Sequence, residues 1–190
     1  MTNKDRKQTE NNDYEYPKPI YYMARFFDLI HPAIMALDEL ESYILKKRMS
    51  KIDIIKPIYI NGVARAGTTI TLEMLSHHPQ LASHRYFNIP LIYVPNLWRQ
   101  LATRVKVFMD PAERIHKDGI IVYRDSPEAL EEIFWMKYFK GAHNEKINHI
   151  LDETTENREF ERFYSRHLKK LIISQNATTY LTKNNYNVTR

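Results

Sequence analysis

The chain has no cysteine, only four glycines among its 190 residues, and no apolar run near the ~18 residues that span a bilayer. The first absence removes disulfides, thiol nucleophiles and Cys-ligated zinc together, and it fits a reducing compartment. The N-terminus lacks the apolar core of a secretory signal, so a cytoplasmic, non-membrane protein is expected. The Asn-x-Thr sequons at Asn176 and Asn187 are accordingly read as chance occurrences. The eight histidines form no His-x-x-x-His pair or His/carboxylate cluster of ligand type, so no metal is expected. Disorder is excluded for the bulk of the chain, because 43% hydrophobic and 27% charged residues describe an ordinary globular composition.

The net charge is +5, and seven Lys/Arg against two Asp/Glu between Arg158 and Arg190 account for all of it. The remainder is neutral. A protein that coats nucleic acid is therefore not indicated, and a local anion site is.

Residues 1–19 are polar, mixed in charge and carry Pro17 and Pro19, which predicts a flexible arm; residues 20–190 form the domain. Helical spacing of Phe26, Leu29, Ile30, Ile34, Leu37, Leu40, Ile44 and Leu45 predicts a long amphipathic helix from Ile20 to Arg48, broken near Pro32. Pro57 to Ile60 is β-prone. A glycine-framed loop follows it, then a helix from about Thr69 to His77. Residues 81–125 are interrupted by Pro90, Pro95 and Pro111 and give no clear pattern. Ser126-Pro127-Glu128 has the chemistry of a helix start, which predicts a helix to Lys140 ending at Gly141. A further helix is expected over Arg158–Gln175, with Phe160, Phe163, Leu168, Leu171 and Ile172 inward. A second β-prone run, Thr179 to Leu181, leads into Thr182-Lys183-Asn184.

The loop is the most informative stretch. Two of the four glycines frame Gly62-Val63-Ala64-Arg65-Ala66-Gly67-Thr68-Thr69. Glycines permit close backbone approach and positive φ, the following helix offers unpaired N–H groups, and the threonines add hydroxyl donors. The spacing is that of the nucleotide loop G-x-x-x-x-G-K-[ST], except that Thr68 stands in place of the lysine and a cation, Arg65, lies within the loop. Phosphate is the expected ligand, with a terminal group other than the γ-phosphate of ATP.

Strand, Gly-x-x-[Arg/Lys]-[Ser/Ala]-Gly-Thr-Thr, helix resembles the 5′-phosphosulfate loop of sulfotransferases that use 3′-phosphoadenylyl sulfate (PAPS). Leu72 to Leu81, with its His78-Pro79 turn, resembles the helix and turn that follow in the bacterial-type branch. Asp125-Ser126-Pro127-Glu128 with Glu131 and Glu132, and Thr182-Lys183-Asn184, resemble two further elements of that branch. The resemblance implies an α/β fold with a P-loop NTPase-like parallel sheet flanked by helices. It implies PAPS as donor and a hydroxyl or amine acceptor on a carbohydrate or small metabolite. It also implies donor binding by Gly62, Ala64, Arg65, Ala66, Gly67, Thr68 and Thr69. Arg65 would stabilise the leaving phosphate, and the base would be Glu132, then Glu131, then Glu128, with His78 and His84 as alternates. Lys183 and Arg190 lie where relatives bring residues to the site. The family's Arg-Asp-Pro element and following Ser, which grip the 3′-phosphate, do not occur by Arg190, so an incomplete domain is expected. Two alternatives stay open: a divergent P-loop kinase, and a non-catalytic nucleotide- or polyanion-binding module. Arg158, Arg162 and Arg166 with Lys169 and Lys170 read as a basic helix stripe, usually a solvated face.

Overall fold

A computed structural model describes residues 18–63, 65–89, 91–104, 111–113, 121–141 and 150–189, with only the backbone described at 18–28, 112–113 and 188–189. Of the arm expected at 1–19, residues 1–17 lie outside the described residues, as does Arg190, while Lys18 and Pro19 belong to the first helix instead.

The architecture is α/β: five α-helices around a small parallel sheet among the described residues. Strands β1 (Ile58–Ile60), β2 (Leu81–Ala82) and β5 (Thr179–Lys183) form the sheet in the order β1-β5-β2. Ile58, Tyr59 and Ile60 face Leu181, Thr182 and Lys183 in parallel register, and Leu81 and Ala82 face Thr179 and Tyr180. Because both pairings are parallel, all three strands deliver their carboxyl ends to one side. A short antiparallel pair, β3 (Ala112–Glu113) and β4 (Ile121–Val122), stands apart from this sheet. No described helix is long and apolar enough to cross a membrane.

Helix α5 (Arg158–Gln175) holds the structure together. Asn157 caps its start by accepting from the Phe160 N–H at 3.0 Å, and Asn176 ends it in the left-handed region. Leu168, Leu171 and Ile172 pack on the sheet against Ala82 and Tyr180. Toward its N-terminus, Phe160 and Phe163 join an aromatic core with Tyr93 and Phe134, the Phe134 and Phe163 rings lying edge to face at 5.1 Å.

Helix α1 runs unbroken from Lys18 to Met49 with Pro32 inside it, roughly 48 Å long. Pro32 removes one backbone bond, but the turns on either side carry the ladder through, so the expected break is absent. Its buried face also differs from the periodic reading. Ile34 and Leu45 are buried as expected, whereas Leu29, Leu37, Leu40 and Ile44 are exposed, and Phe26 lies outside the described side chains. In their place the helix buries Asp38, Glu41 and Ser42.

The reason is Lys170. This lysine on α5 is fully buried; its ammonium donates to the Asp38 carboxylate and to the Tyr93 carbonyl oxygen at 3.2 Å, and lies 3.3 Å from Glu41. Glu41 also accepts from the Leu97 N–H at 2.6 Å, which ties helix α3 (Pro95–Arg104) to the same cluster. Arg166, one turn earlier, grips Glu39 through two bonds at 2.6 and 2.8 Å. The basic stripe is therefore not a uniform solvated face: Lys170 is a core ion, while Arg158 remains outside, paired with Glu156 at 3.5 Å. Removing one partner of such a cluster strands the opposite charge without solvent. Lys170→Ala should cost about 3–5 kcal/mol in urea denaturation, far more than Arg158→Ala; equal losses for the two would contradict this account.

Candidate functional site

The loop lies where β1 ends, and α2 (Thr68–Ser76) begins directly after it. Gly67 is the N-cap with φ +78°, in the left-handed region that glycine enters without penalty. The first helical bonds return to it: Thr71 donates to the Gly67 carbonyl oxygen through its N–H at 3.0 Å and its hydroxyl at 3.1 Å. Gly62 serves a different need. A Cβ there would sit 2.9 Å from Thr68 Cγ2 and 3.4 Å from Ala66 Cβ, so the loop closes on itself only with no side chain at 62. Arg65 also has positive φ, +70°, and its side chain is exposed, as are Ala66 and Gly67. Ala66 N–H closes the turn onto the Val63 carbonyl oxygen at 3.2 Å. Ala64 lies outside the described residues. The amides that open α2 have no partner one turn back by the nature of a helix start, and they carry its positive end.

Lys183 completes this corner. It is the last residue of β5, opposite Ile60 in the register, and its ammonium donates to Thr69 Oγ1 at 3.2 Å. A lysine is missing after Gly67 in the sequence, yet a lysine reaches the head of α2 from the neighbouring strand. Asn184, next along, donates its backbone N–H to the Ile60 carbonyl oxygen at 3.2 Å and its side-chain amide to Glu132 at 2.6 Å. Glu132 therefore stands at the carboxyl end of the sheet, the same end as the loop. In open α/β sheets this is the end where ligands bind.

The other carboxylates separate from this place. Helix α4 spans Glu132–Tyr138 and starts five residues later than Ser126-Pro127-Glu128 predicts. Ser126 instead accepts the Tyr123 N–H at 3.1 Å, and Pro127 bridges Arg85 in an antiparallel pair. Glu128 is consequently not on the helix; it accepts the Tyr86 hydroxyl at 2.6 Å. Ile133 is exposed, while Leu130 and Phe134 are buried.

Glu131 is fully buried, so it cannot meet an acceptor from solvent. It receives the Trp135 indole N–H at 2.7 Å and the Tyr180 hydroxyl at 3.0 Å, and burial pushes its carboxyl up against the pull of those bonds. Tyr180 lies 3.3 Å from His84 Nδ1, whose Nε2 is 2.9 Å from His167 Nε2, with the two imidazoles stacked. His84 is thereby a core residue instead of a base. His78 is exposed on the turn after α2, at the end of that helix remote from the loop. Among the described residues no group of three His, Asp or Glu side chains is arranged to hold a metal ion.

Comparison of the chain with protein-family models, with curated proteins and with solved structures finds no match. Of the sequence-predicted residues, the geometry of the site gathers Gly62, Arg65, Ala66, Gly67, Thr68, Thr69 and Lys183 into one corner and sets Glu132 at the same end of the sheet. It removes Glu131, Glu128, His84 and His78. Asn184 was missed as the residue that holds Glu132; its place immediately after a β-prone run was the available signal.

The buried histidine pair makes a separate, measurable claim. Burial pulls His84 down to about 3 and His167 well below its ordinary value, the latter also through the neighbouring His84 and Lys170 charges. The unfolded chain therefore binds more protons below pH ~6.5, so this contribution is whole above that value and is lost as pH falls toward 3. Glu131 and Glu41, both raised by burial, work in the opposite direction. The histidine share is therefore read by difference: as pH falls from ~6.5 to ~5, the urea midpoint of the parent chain should fall relative to that of His84→Gln, and parallel pH dependences in the two proteins would contradict the assignment.

Proposed function

We propose that the corner at the carboxyl end of the sheet binds the phosphosulfate of PAPS, and that the protein is a sulfotransferase acting on a hydroxyl or amine of a small metabolite or carbohydrate. The observation that carries this reading is the convergence of the Gly62–Thr69 loop, the head of α2 and Lys183 on one exposed point. Amides at a helix start, two hydroxyls and two cations suit a phosphate bearing a charged terminal group.

In this reading the acceptor oxygen or nitrogen attacks sulfur while the bond from sulfur to the 5′-phosphate oxygen breaks. The acceptor proton passes to Glu132, which Asn184 holds by its amide. Charge gathering on the departing adenosine 3′,5′-bisphosphate (PAP) is met by Arg65, Lys183 and the amides of Gly67 to Thr69. A P-loop NTPase-like identity for the sheet belongs to the same proposal, as does incompleteness of the domain. The open side of β1 supports the latter: Ile58 and Tyr59 are exposed there, and β5 is the only strand paired with β1 among the described residues.

One observation favours the alternative of a divergent P-loop kinase. Lys183 supplies from β5 the kind of cation that the loop lacks after Gly67, so a triphosphate is less poorly served than the loop sequence implies. Against it, β5 lies beside β1 and ends in Thr182-Lys183-Asn184, so this strand itself contributes no carboxylate for magnesium, and Glu132 at the same end is engaged by the Asn184 amide.

Calorimetric titration separates the two. PAP should bind the chain, and Arg65→Ala and Lys183→Ala should each weaken it about tenfold, the loss expected for one charge-assisted contact. ATP with magnesium should bind more weakly than PAP. Tight ATP·Mg binding with indifference to PAP would transfer the assignment to the kinase reading.

A further inference from the structure

At the opposite end of the sheet from the loop lies a cavity of about 610 Å³. Its walls come from the turn after α2, the first residue of β2, the end of α5, helix α3 and the segment around Arg124. The two sites are separated by the length of α2, nine residues or roughly 13 Å of helix.

Among the described residues, three arginines line this cavity, Arg85, Arg99 and Arg124, with one acidic residue, Asp125. Each is held in a different way. Arg85 donates to the Ser76 carbonyl oxygen at 3.2 Å and to that of Asp125, so it caps the end of α2 while facing the cavity. Arg124 stacks on the Phe87 ring with its guanidinium carbon 4.2 Å from the centroid, and Trp98 backs the same ring at 5.9 Å. Arg99 projects from the exposed side of α3. Burial and the Arg99 charge both pull the Arg85 guanidinium down, opposed by Asp125 and Glu73. Like charges have thus been brought together beside a space wide enough for a small molecule, at a cost that a bound anion would offset. Planar guanidinium donors from three segments of the chain suit the oxygens of a phosphate, and 610 Å³ leaves room for what the phosphate is attached to.

We propose that this cavity is a second anion site, which takes a small phosphate ester or diphosphate through Arg85, Arg99 and Arg124, independently of the glycine loop. The site is reached from solvent at the Arg99 and Thr103 side, since both are exposed.

The test is a two-dimensional NMR titration of the full chain with inorganic pyrophosphate and with glucose 6-phosphate, and with glucose as the uncharged control. Because resonances are resolved by position, binding here and binding at the loop are read separately. Both phosphates should shift the amides of residues 76–78, 99–103 and 124–125 saturably, and glucose should not. Arg99→Ala, at an exposed position on α3, should weaken that response about tenfold while leaving any shifts at 62–69 in place. Thr103→Glu, which sets a carboxylate at the mouth, should do the same. Shifts confined to 62–69, equal response to glucose, or an affinity unchanged by both variants would overturn the proposal.

Discussion

The register of β1 against β5 is the constraint on which the candidate corner rests. Ile60 faces Lys183, so the residue that launches the glycine loop and the residue that supplies its cation stand side by side. The bond from Asn184 N–H to the Ile60 carbonyl oxygen continues the pairing one step past the strand and orients the amide that holds Glu132. Side chains alternate along a strand, so a slip of one residue would turn Lys183 away from Thr69 and leave the loop without its partner. Parallel strands need a crossover between them. Here α2, β2 and the long excursion to α5 supply it, and α5 returns the chain so that β5 enters between β1 and β2.

The position of α5 is fixed in turn by two unlike forces. Apolar side chains on one part of the helix cover the sheet, and the aromatic rings of Phe160 and Phe163 join the core with Phe134 and Tyr93. Between them sits an ionic cluster, Lys170 with Asp38 and Glu41, that clamps α1 and the start of α3 to the same helix. Burying three charges together is costly, and its return is specificity: only one rotation of α1 places both Asp38 and Glu41 toward Lys170. The same rotation leaves Leu37, Leu40 and Ile44 facing outward.

That trade explains where reading the sequence succeeds and where it does not. Local signals give β1, the loop, α2, α5 and β5 nearly at their observed limits, because glycine placement, β-branched runs and helical periodicity are all decided by neighbours in the chain. Periodicity misassigns the inner face of α1, because apolar spacing cannot anticipate that two carboxylates will be drawn inward by a lysine more than a hundred residues away. The Ser126-Pro127-Glu128 start fails for a related reason. Its capping chemistry is real, but Ser126 spends its hydroxyl on Tyr123 N–H, and the segment pairs with Arg85 as a bridge. At the candidate site, the loop residues are legible from spacing alone. The separation of Glu131 from Glu132 is not, since adjacent carboxylates reach opposite environments only once α4 is seated: one against Tyr180 in the core, the other at the sheet end beside Asn184.

The central claim is that the glycine loop and Lys183 act as one phosphate site. A crystal structure of the chain soaked with PAP tests it most directly. The account predicts a phosphate of the ligand against the amides of Gly67, Thr68 and Thr69, with the Lys183 ammonium turned onto its oxygens and Arg65 closing from the loop. Ligand density elsewhere, with the bond from Lys183 to Thr69 undisturbed and the loop empty, would contradict it.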